Sequence, residues 1–290
     1  MQIVIENLSY VYSENSKELK NQALNDVNLT IDEGEFFGII GQTGSGKSTF
    51  VQHLNGLIKV QKGKGRVKVG EFDLTDKKCD FKSLRAKVGM VFQYPEHQLF
   101  AETVFDDVAF GLKNFEKGLS PEQIEARVRE AVETVGLNYE RVKNKSPFEL
   151  SGGQKRRVAI AGVIVMRPEV LVLDEPAAGL DPVGKREFLK LLKELHSSFV
   201  KTIILVSHDM NIVSENCTRA AVFNRGSIHA VGTPKQIFSD HQELIKLGLD
   251  LPVTAFLEKT LNESGLKVNS DLTADGFVDG VVALAKGGAE

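Results

Sequence analysis

Short apolar, β-branched runs punctuate the chain at residues 3–5, 27–31, 36–40, 88–92, 170–173 and 202–206. Each is too short for a helix and reads as a strand. Between several of them lie stretches with helical spacing of apolar positions, and this alternation predicts an α/β sheet with helices on its faces. Phe36-Phe37-Gly38-Ile39-Ile40 has no polar position at all, so it reads as a fully buried strand.

The pattern changes over residues 94–146. Ser120-Pro121-Glu122-Gln123 is a capping box with proline at the first helical position. Ile124, Val128, Ala131, Val132 and Val135 follow at helical spacing, and Gly136 ends the run. A helical insert between two halves of the α/β core is expected there. Beyond Gly232 the pattern is helical again. Thr233-Pro234 marks a cap and first turn. Thr273 caps a last helix presenting Phe277, Val278, Val281 and Val282, with Lys286 near its end and Gly287 stopping it. That segment reads either as a packing extension or as a small dimerisation module with an apolar face.

The best apolar run, residues 158–166, falls short of the roughly 20 residues that span a bilayer. The N-terminus has no basic flank followed by an apolar signal core. A soluble, intracellular chain is expected, with any membrane role supplied by a partner. Against 39 Asp+Glu the 36 Lys+Arg give a net charge of -3, which argues against sequence-independent nucleic-acid binding. Cys79 and Cys217 are far apart and in no metal-ligand spacing, so they read as reduced thiols.

The buried strand at 36–40 runs straight into Gly41-Gln42-Thr43-Gly44-Ser45-Gly46-Lys47-Ser48-Thr49, and a helix opens at Lys47. Strand, glycine loop and helix in this order form a phosphate-binding loop. Its glycines let backbone N–H groups point at the β- and γ-phosphates, and the helix adds the positive end of its dipole. Lys47 should meet the same phosphates, and the Ser48 hydroxyl should ligate Mg²⁺. Two further strand ends carry polar groups. Val170-Leu171-Val172-Leu173 ends in Asp174, the expected Mg²⁺ partner, and Glu175, the expected base for the attacking water. Thr202-Ile203-Ile204-Leu205-Val206 ends in Ser207-His208, where His208 is placed to hydrogen-bond the γ-phosphate. Gln93, at the tip of the run at 88–92, is placed to sense the γ-phosphate or Mg²⁺. The other five histidines, His53 among them, read as ordinary core or surface residues. Leu150-Ser151-Gly152-Gly153-Gln154 precedes a helix-like run from Gln154 to Met166 and forms a second anion site on the same chain.

Taken in order, the phosphate loop, Gln93, Leu150-Ser151-Gly152-Gly153-Gln154, Asp174-Glu175, Gly179-Leu180-Asp181 and His208 resemble the motif set of the ABC (ATP-binding cassette) ATPases. The resemblance covers roughly residues 3–232. It implies a RecA-like core with an antiparallel β subdomain, a helical subdomain and a small helical C-terminal extension. On this reading residues 1–93 and 155–231 form the α/β core, 94–154 the helical subdomain, and 232–290 a dimerisation extension. Tyr12, with Tyr10 the other candidate, would stack on adenine. Ser151 and Gly153 would clasp the γ-phosphate of ATP bound by a partner, and Asp181 would communicate across the dimer. Ala177 departs from the family pattern, in which Thr or Ser is common.

Phe92-Gln93-Tyr94-Pro95-Glu96-His97-Gln98-Leu99-Phe100 and Ser146-Pro147-Phe148-Glu149 further resemble the energy-coupling factor (ECF) transporter ATPases, most of all the second, A′ type. That resemblance implies an ATP hydrolase on the cytoplasmic face of the cell membrane. Its partners would be a second related ATPase or a second copy, an integral membrane coupling subunit and a substrate-binding membrane subunit for vitamins or cobalt or nickel ions, with no nucleic acid. Two other readings share the motifs: the ATPase of a conventional binding-protein-dependent importer and an ABC-type DNA-repair ATPase. The Tyr94 to Phe100 segment and the short C-terminus speak against the first, the lack of an inserted coiled coil or zinc cysteines against the second.

Overall fold

The computed structural model describes residues 1–12 and 21–287. Strands β1 (Ile3–Tyr12) and β2 (Asn21–Ile31) pair antiparallel, with irregular register beyond Ile5. Asn7 and Asp26 sit there at φ 50°, and the Asn7 amide donates to the Asp26 carboxylate at 2.9 Å. Asn and Asp tolerate this left-handed backbone better than other residues. The bulge also returns Leu8, after Ile3 and Ile5, to the buried face. Next come β3 (Phe36–Gly41), buried at every position, and helix α1 (Lys47–Leu54). β4 (Arg66–Val69) and β5 (Phe72–Asp73) complete a four-stranded sheet of order β2-β1-β4-β5.

Helix α2 (Phe81–Lys87), capped by Asp80, leads into β6 (Val88–Val91). Beyond a 3₁₀ turn at Pro95–Gln98 lie α3 (Val104–Phe115), α4 (Pro121–Thr134), α5 (Tyr139–Val142) and α6 (Gly152–Ile164). Ser120 and Gln123 form the expected capping box of α4, and Gly136 follows at φ 76°. Helix α6 packs on α3 and α4 and also on β6, so it is the seam between the helical insert and the sheet.

The chain continues through β7 (Val170–Asp174), α7 (Pro182–Ser198), β8 (Thr202–Val206), α8 (Met210–Asn216), β9 (Arg219–Asn224) and β10 (Ser227–Gly232). A six-stranded sheet of order β10-β9-β3-β8-β7-β6 results, parallel except for β10. Its side chains divide by the two-residue period of a strand. Leu171, Leu173, Ile203 and Leu205 join the core shared with the helical insert. Val170, Val172, Ile204 and Val206 join the core shared with α1 and the antiparallel sheet. Four helices close the described chain: α9 (Pro234–Ser239), α10 (His241–Lys246), α11 (Val253–Glu263) and α12 (Ala274–Gly287). Thr233 caps α9 in a box with Gln236, and the Thr273 hydroxyl accepts from the Gly276 N–H at 3.0 Å. Among the described residues no helix is long and apolar enough to cross a membrane.

Strands β4, β5, β9 and β10 were not among the runs picked out by apolar patterning. The two alanines of β9 dilute its signal, and it is a strand because it lies parallel to β3.

Candidate functional site

The phosphate loop joins β3 to α1 under tight backbone constraint. Gly41, at φ 149°, leaves no room for a Cβ against the Phe223 carbonyl and the Ser45 hydroxyl. Gly46, at φ 104°, would place one 2.5 Å from the Ala23 carbonyl oxygen. Glycine is therefore required at both by the chain's own packing. The Ser45 N–H donates to Gln42 O at 3.1 Å, and the Gly226 N–H donates to Ser45 O at 2.9 Å. Gln42, Thr43 and Gly44 remain exposed, with open space beside Gly44.

Lys47 is buried, and its ammonium donates to Gly41 O at 2.7 Å and Gln42 O at 2.9 Å. Burial lowers its pKa, while the charges of Glu175 and Asp174 act to raise it. Burial pushes the Asp174 carboxyl up, against the Ser48 hydroxyl that hydrogen-bonds to it. Among the described residues the buried Ser45 hydroxyl finds no hydrogen-bond partner. Thr49, one turn along α1, is 3.0 Å through its hydroxyl from the phenol oxygen of Tyr12.

Because β8 lies between β3 and β7, the tips of these strands meet beside the loop. Glu175 directly follows β7 at φ 48°, an uncommon backbone for a residue with a side chain. Its N–H is fixed to Val206 O of β8 at 3.1 Å. The carboxylate accepts from Nδ1 of His208 at 3.0 Å, so that nitrogen carries the proton. Gln93, Glu175 and His208 line one cavity of about 320 Å³. Of the four strand-tip residues expected from the sequence these three share the cavity, whereas Asp174, the last residue of β7, is buried and turned to Ser48.

Ser151 and Gly153 stand elsewhere, at the start of α6. Ser151 Oγ accepts from the Gln154 N–H at 3.4 Å, and the Gln154 side chain accepts from the Ser151 N–H at 3.1 Å. This reciprocal cap starts the helix at Gly152, two residues before the expected Gln154, and the helix ends at Ile164 rather than Met166. A Cβ at Gly152 or Gly153 would touch nothing within 4 Å. Gly153 lines a second cavity of about 390 Å³ with Leu180 and Asp181. Asp181 caps α7, accepting from the Gly184 N–H at 2.6 Å.

One linking group was missed in the sequence. Arg156, on α6, is buried and grips Glu96 of the 3₁₀ turn at 3.1 and 3.0 Å. Its third donor group reaches Pro176 O at 3.3 Å and Ala178 O at 3.0 Å. A single guanidinium thereby ties α6, the helix opened by the signature loop at residues 150–154, to the segment after Gln93 and the turn after Glu175. Burial is the largest influence and raises the Glu96 pKa, but the Arg156 hydrogen bonds and charge, with the Glu96 backbone N–H, together hold the carboxyl below its ordinary range. Lys185 likewise bridges to Asp209, beside His208, at 3.0 Å.

Comparison with known proteins bears on this geometry. The profile of the family described as ABC transporter matches residues 24–178. The energy-coupling factor transporter ATP-binding protein EcfA2 of Caldanaerobacter subterraneus subsp. tengcongensis is 50% identical over 272 residues, covering 94% of this chain and 93% of the relative. Its counterpart from Symbiobacterium thermophilum is 48% identical and covers 99% of each chain. Among solved structures, cbiO1 from Clostridium perfringens, part of the ABC transporter complex cbiONQ, is similar with a TM-score of 0.72 at 39% identity, over 89% of this chain and 98% of that one. The dimeric post-hydrolysis cassette MJ0796, bound to ADP and Pi, is similar with a TM-score of 0.71 at 32% identity, over 80% of this chain and 98% of that one.

Proposed function

The chain belongs to the ABC transporter family, as an ATP-hydrolysing energy-coupling factor subunit of the second, A′ type, and from that premise we propose a division of its residues between two ATP sites. Gly41, Gln42, Thr43, Gly44, Ser45, Gly46, Lys47, Ser48 and Thr49 seat the triphosphate of the chain's own ATP. Tyr12, half-exposed where Tyr10 is more covered, takes the adenine. Glu175 orients the attacking water and accepts its proton as the water oxygen bonds to the γ-phosphorus and ADP leaves. His208 holds the Glu175 carboxylate through Nδ1–H, and as an imidazolium, with Nε2 protonated too, it would donate a second hydrogen bond to the γ-phosphate. The oxygens of Ser48, Asp174 and Gln93 are the hard donors that Mg²⁺ takes, and the Ser48–Asp174 hydrogen bond already gathers two of them. Bound there, the ion supplies charge neutralisation at the β- and γ-phosphates.

The observation that carries the second half of the proposal is the open space at Gly152 and Gly153. Both lie in the first turn of α6, where helix formation gives no reason to prefer glycine over alanine. Nothing among the described residues requires them. The room they leave fits a phosphate arriving on another ATPase, clasped by Ser151 and the Gly153 N–H at the helix N-terminus.

The working assembly we propose is a pair with a second related ATPase, or with a second copy, beneath an integral membrane coupling subunit and a substrate-binding subunit for a vitamin, cobalt or nickel. The chain would sit peripherally on the cytoplasmic face, without nucleic acid. Residues 1–93 and 155–231 serve as the ATPase core and 94–154 as the helical subdomain. Residues 232–290 serve as the pairing extension, a role supported by exposed Ile245, Val253, Phe256 and Val278. Purification of the native complex in mild detergent tests this assembly. A related ATPase and an integral membrane protein should co-purify; two ordinary permeases in their place would overturn it.

A further inference from the structure

Helix α1 carries a histidine that hydrolysis does not use. His53 has no exposed surface, and burial holds its imidazole below the ordinary pKa, against the hydrogen bond to Thr49. Its Nδ1 lies 2.7 Å from the Thr49 carbonyl oxygen, which can only accept, so the neutral ring is protonated at Nδ1. Nε2 is therefore a bare acceptor, buried with no partner among the described residues. An aliphatic side chain would avoid that unsatisfied nitrogen. What the ring touches gives a reason to keep it.

The His53 ring meets Tyr10 edge to face at 5.1 Å, and Tyr10 meets Tyr12 in the same way at 4.9 Å. Aromatic rings favour this T-shaped contact, which fixes their relative planes. Tyr12 returns to α1 through its phenol, 3.0 Å from Thr49 Oγ1. Thr49 is thus held at its carbonyl by His53 and at its hydroxyl by Tyr12. The contacts close a circuit of four residues running from a fully buried ring to a ring 41% exposed beside the phosphate-loop helix.

We infer that His53 is a positioning residue that, through Tyr10, sets the plane of the Tyr12 ring for the adenine base; this rests on Tyr12 being the base-stacking residue. A ring already held in plane loses less conformational freedom when the base arrives. The effect falls on the base more than on the phosphates, because the aromatic chain ends at Tyr12 and the other His53 contact is to the Thr49 backbone carbonyl within α1.

The test compares affinities of the full-length protein for ADP and for inorganic pyrophosphate. Base stacking on an aromatic ring is worth about fivefold to a hundredfold in affinity, so Tyr12→Ala should lower the ADP-to-pyrophosphate ratio by about tenfold. His53→Asn keeps a donor near the Nδ1 position but removes the ring, and should lower the ratio by about threefold to fivefold through the lost aromatic contact. Tyr10→Leu breaks the same relay from a less buried position and should match it. His53→Phe keeps the ring and should hold the ratio within about twofold of the parent. Equal losses for ADP and pyrophosphate would mark His53 as merely structural and overturn the inference. So would an unchanged ratio in both His53→Asn and Tyr10→Leu while Tyr12→Ala lowers it. An unchanged ratio in Tyr12→Ala would overturn the base-stacking reading itself.

Discussion

Around Lys47 the chain closes on itself, whereas around Gly153 it leaves room. The phosphate loop is fixed by Ser45–Gln42 and Gly226–Ser45 backbone bonds, its Gly41 and Gly46 are demanded by neighbouring carbonyls, and its lysine is buried. The signature loop is exposed, and its two glycines meet nothing that would exclude a side chain. Its cap is satisfied within the chain, so folding alone accounts for the serine and glutamine but not for the glycines. One loop is shaped by the protein that carries it. The other, on the reading proposed above, is shaped for something that arrives. The same glycine-rich chemistry would then serve two ends, told apart by the surroundings of each loop.

The largest effect should come from the strand tips. Glu175→Gln should lower ATP hydrolysis by about 10²- to 10⁴-fold, the usual contribution of a positioned general base. ATP binding should persist, and an ATP-bound pair should accumulate on size exclusion. Turnover close to the parent rate would remove Glu175 from its role.

Gly153→Asp sharpens the contrast between the loops. Because a side chain at 153 has space, the variant should unfold within about 2 °C of the parent. Its carboxylate would repel an incoming phosphate, and hydrolysis by the assembled pair should fall by about 10²-fold, comparable to losing an oxyanion donor. The converse change, Gly46→Ala, should lower stability and nucleotide binding together, since a Cβ there meets the Ala23 carbonyl.

Arg156→Met tests the tie between the two regions. Removing one partner of a buried ion pair should cost about 3 kcal/mol of stability, read by denaturant unfolding. The pH dependence follows from Glu96. Its folded pKa lies below the unfolded value, so its stabilisation is present above the ordinary carboxylate range and is lost as pH falls through the folded pKa. In the variant that acid-side loss should shrink. The smallest effect belongs to Ser151→Ala, which removes a helix cap worth about 1 kcal/mol.

These regions also differ in how readily they could be read from the chain. The phosphate loop is a run of consecutive residues after a buried strand, so its chemistry is local and visible in order. Glu175 and His208 were legible because each ends an apolar strand, although only the sheet order brings them to 3.0 Å. The Arg156–Glu96 pair joins residues 60 positions apart, and no local pattern picks these two charges from the many others. β4 and β5 are short, and β5 and β10 lie at sheet edges, where tertiary pairing outweighs a weak local signal. His53 looked ordinary because a lone histidine carries no pattern; its burial and its chain of ring contacts exist only in the fold.

The claim that the signature loop serves another chain's ATP is tested most directly by asking which phosphate loop loses its nucleotide. The Gly153→Asp chain is assembled with its parent-type partner ATPase, or with a tagged second copy carrying no substitution, and both are labelled with a photoreactive ATP analogue under vanadate trapping. The account predicts that labelling of the substituted chain persists while labelling of its partner is lost. Loss of labelling on the substituted chain, with the partner's retained, would contradict it.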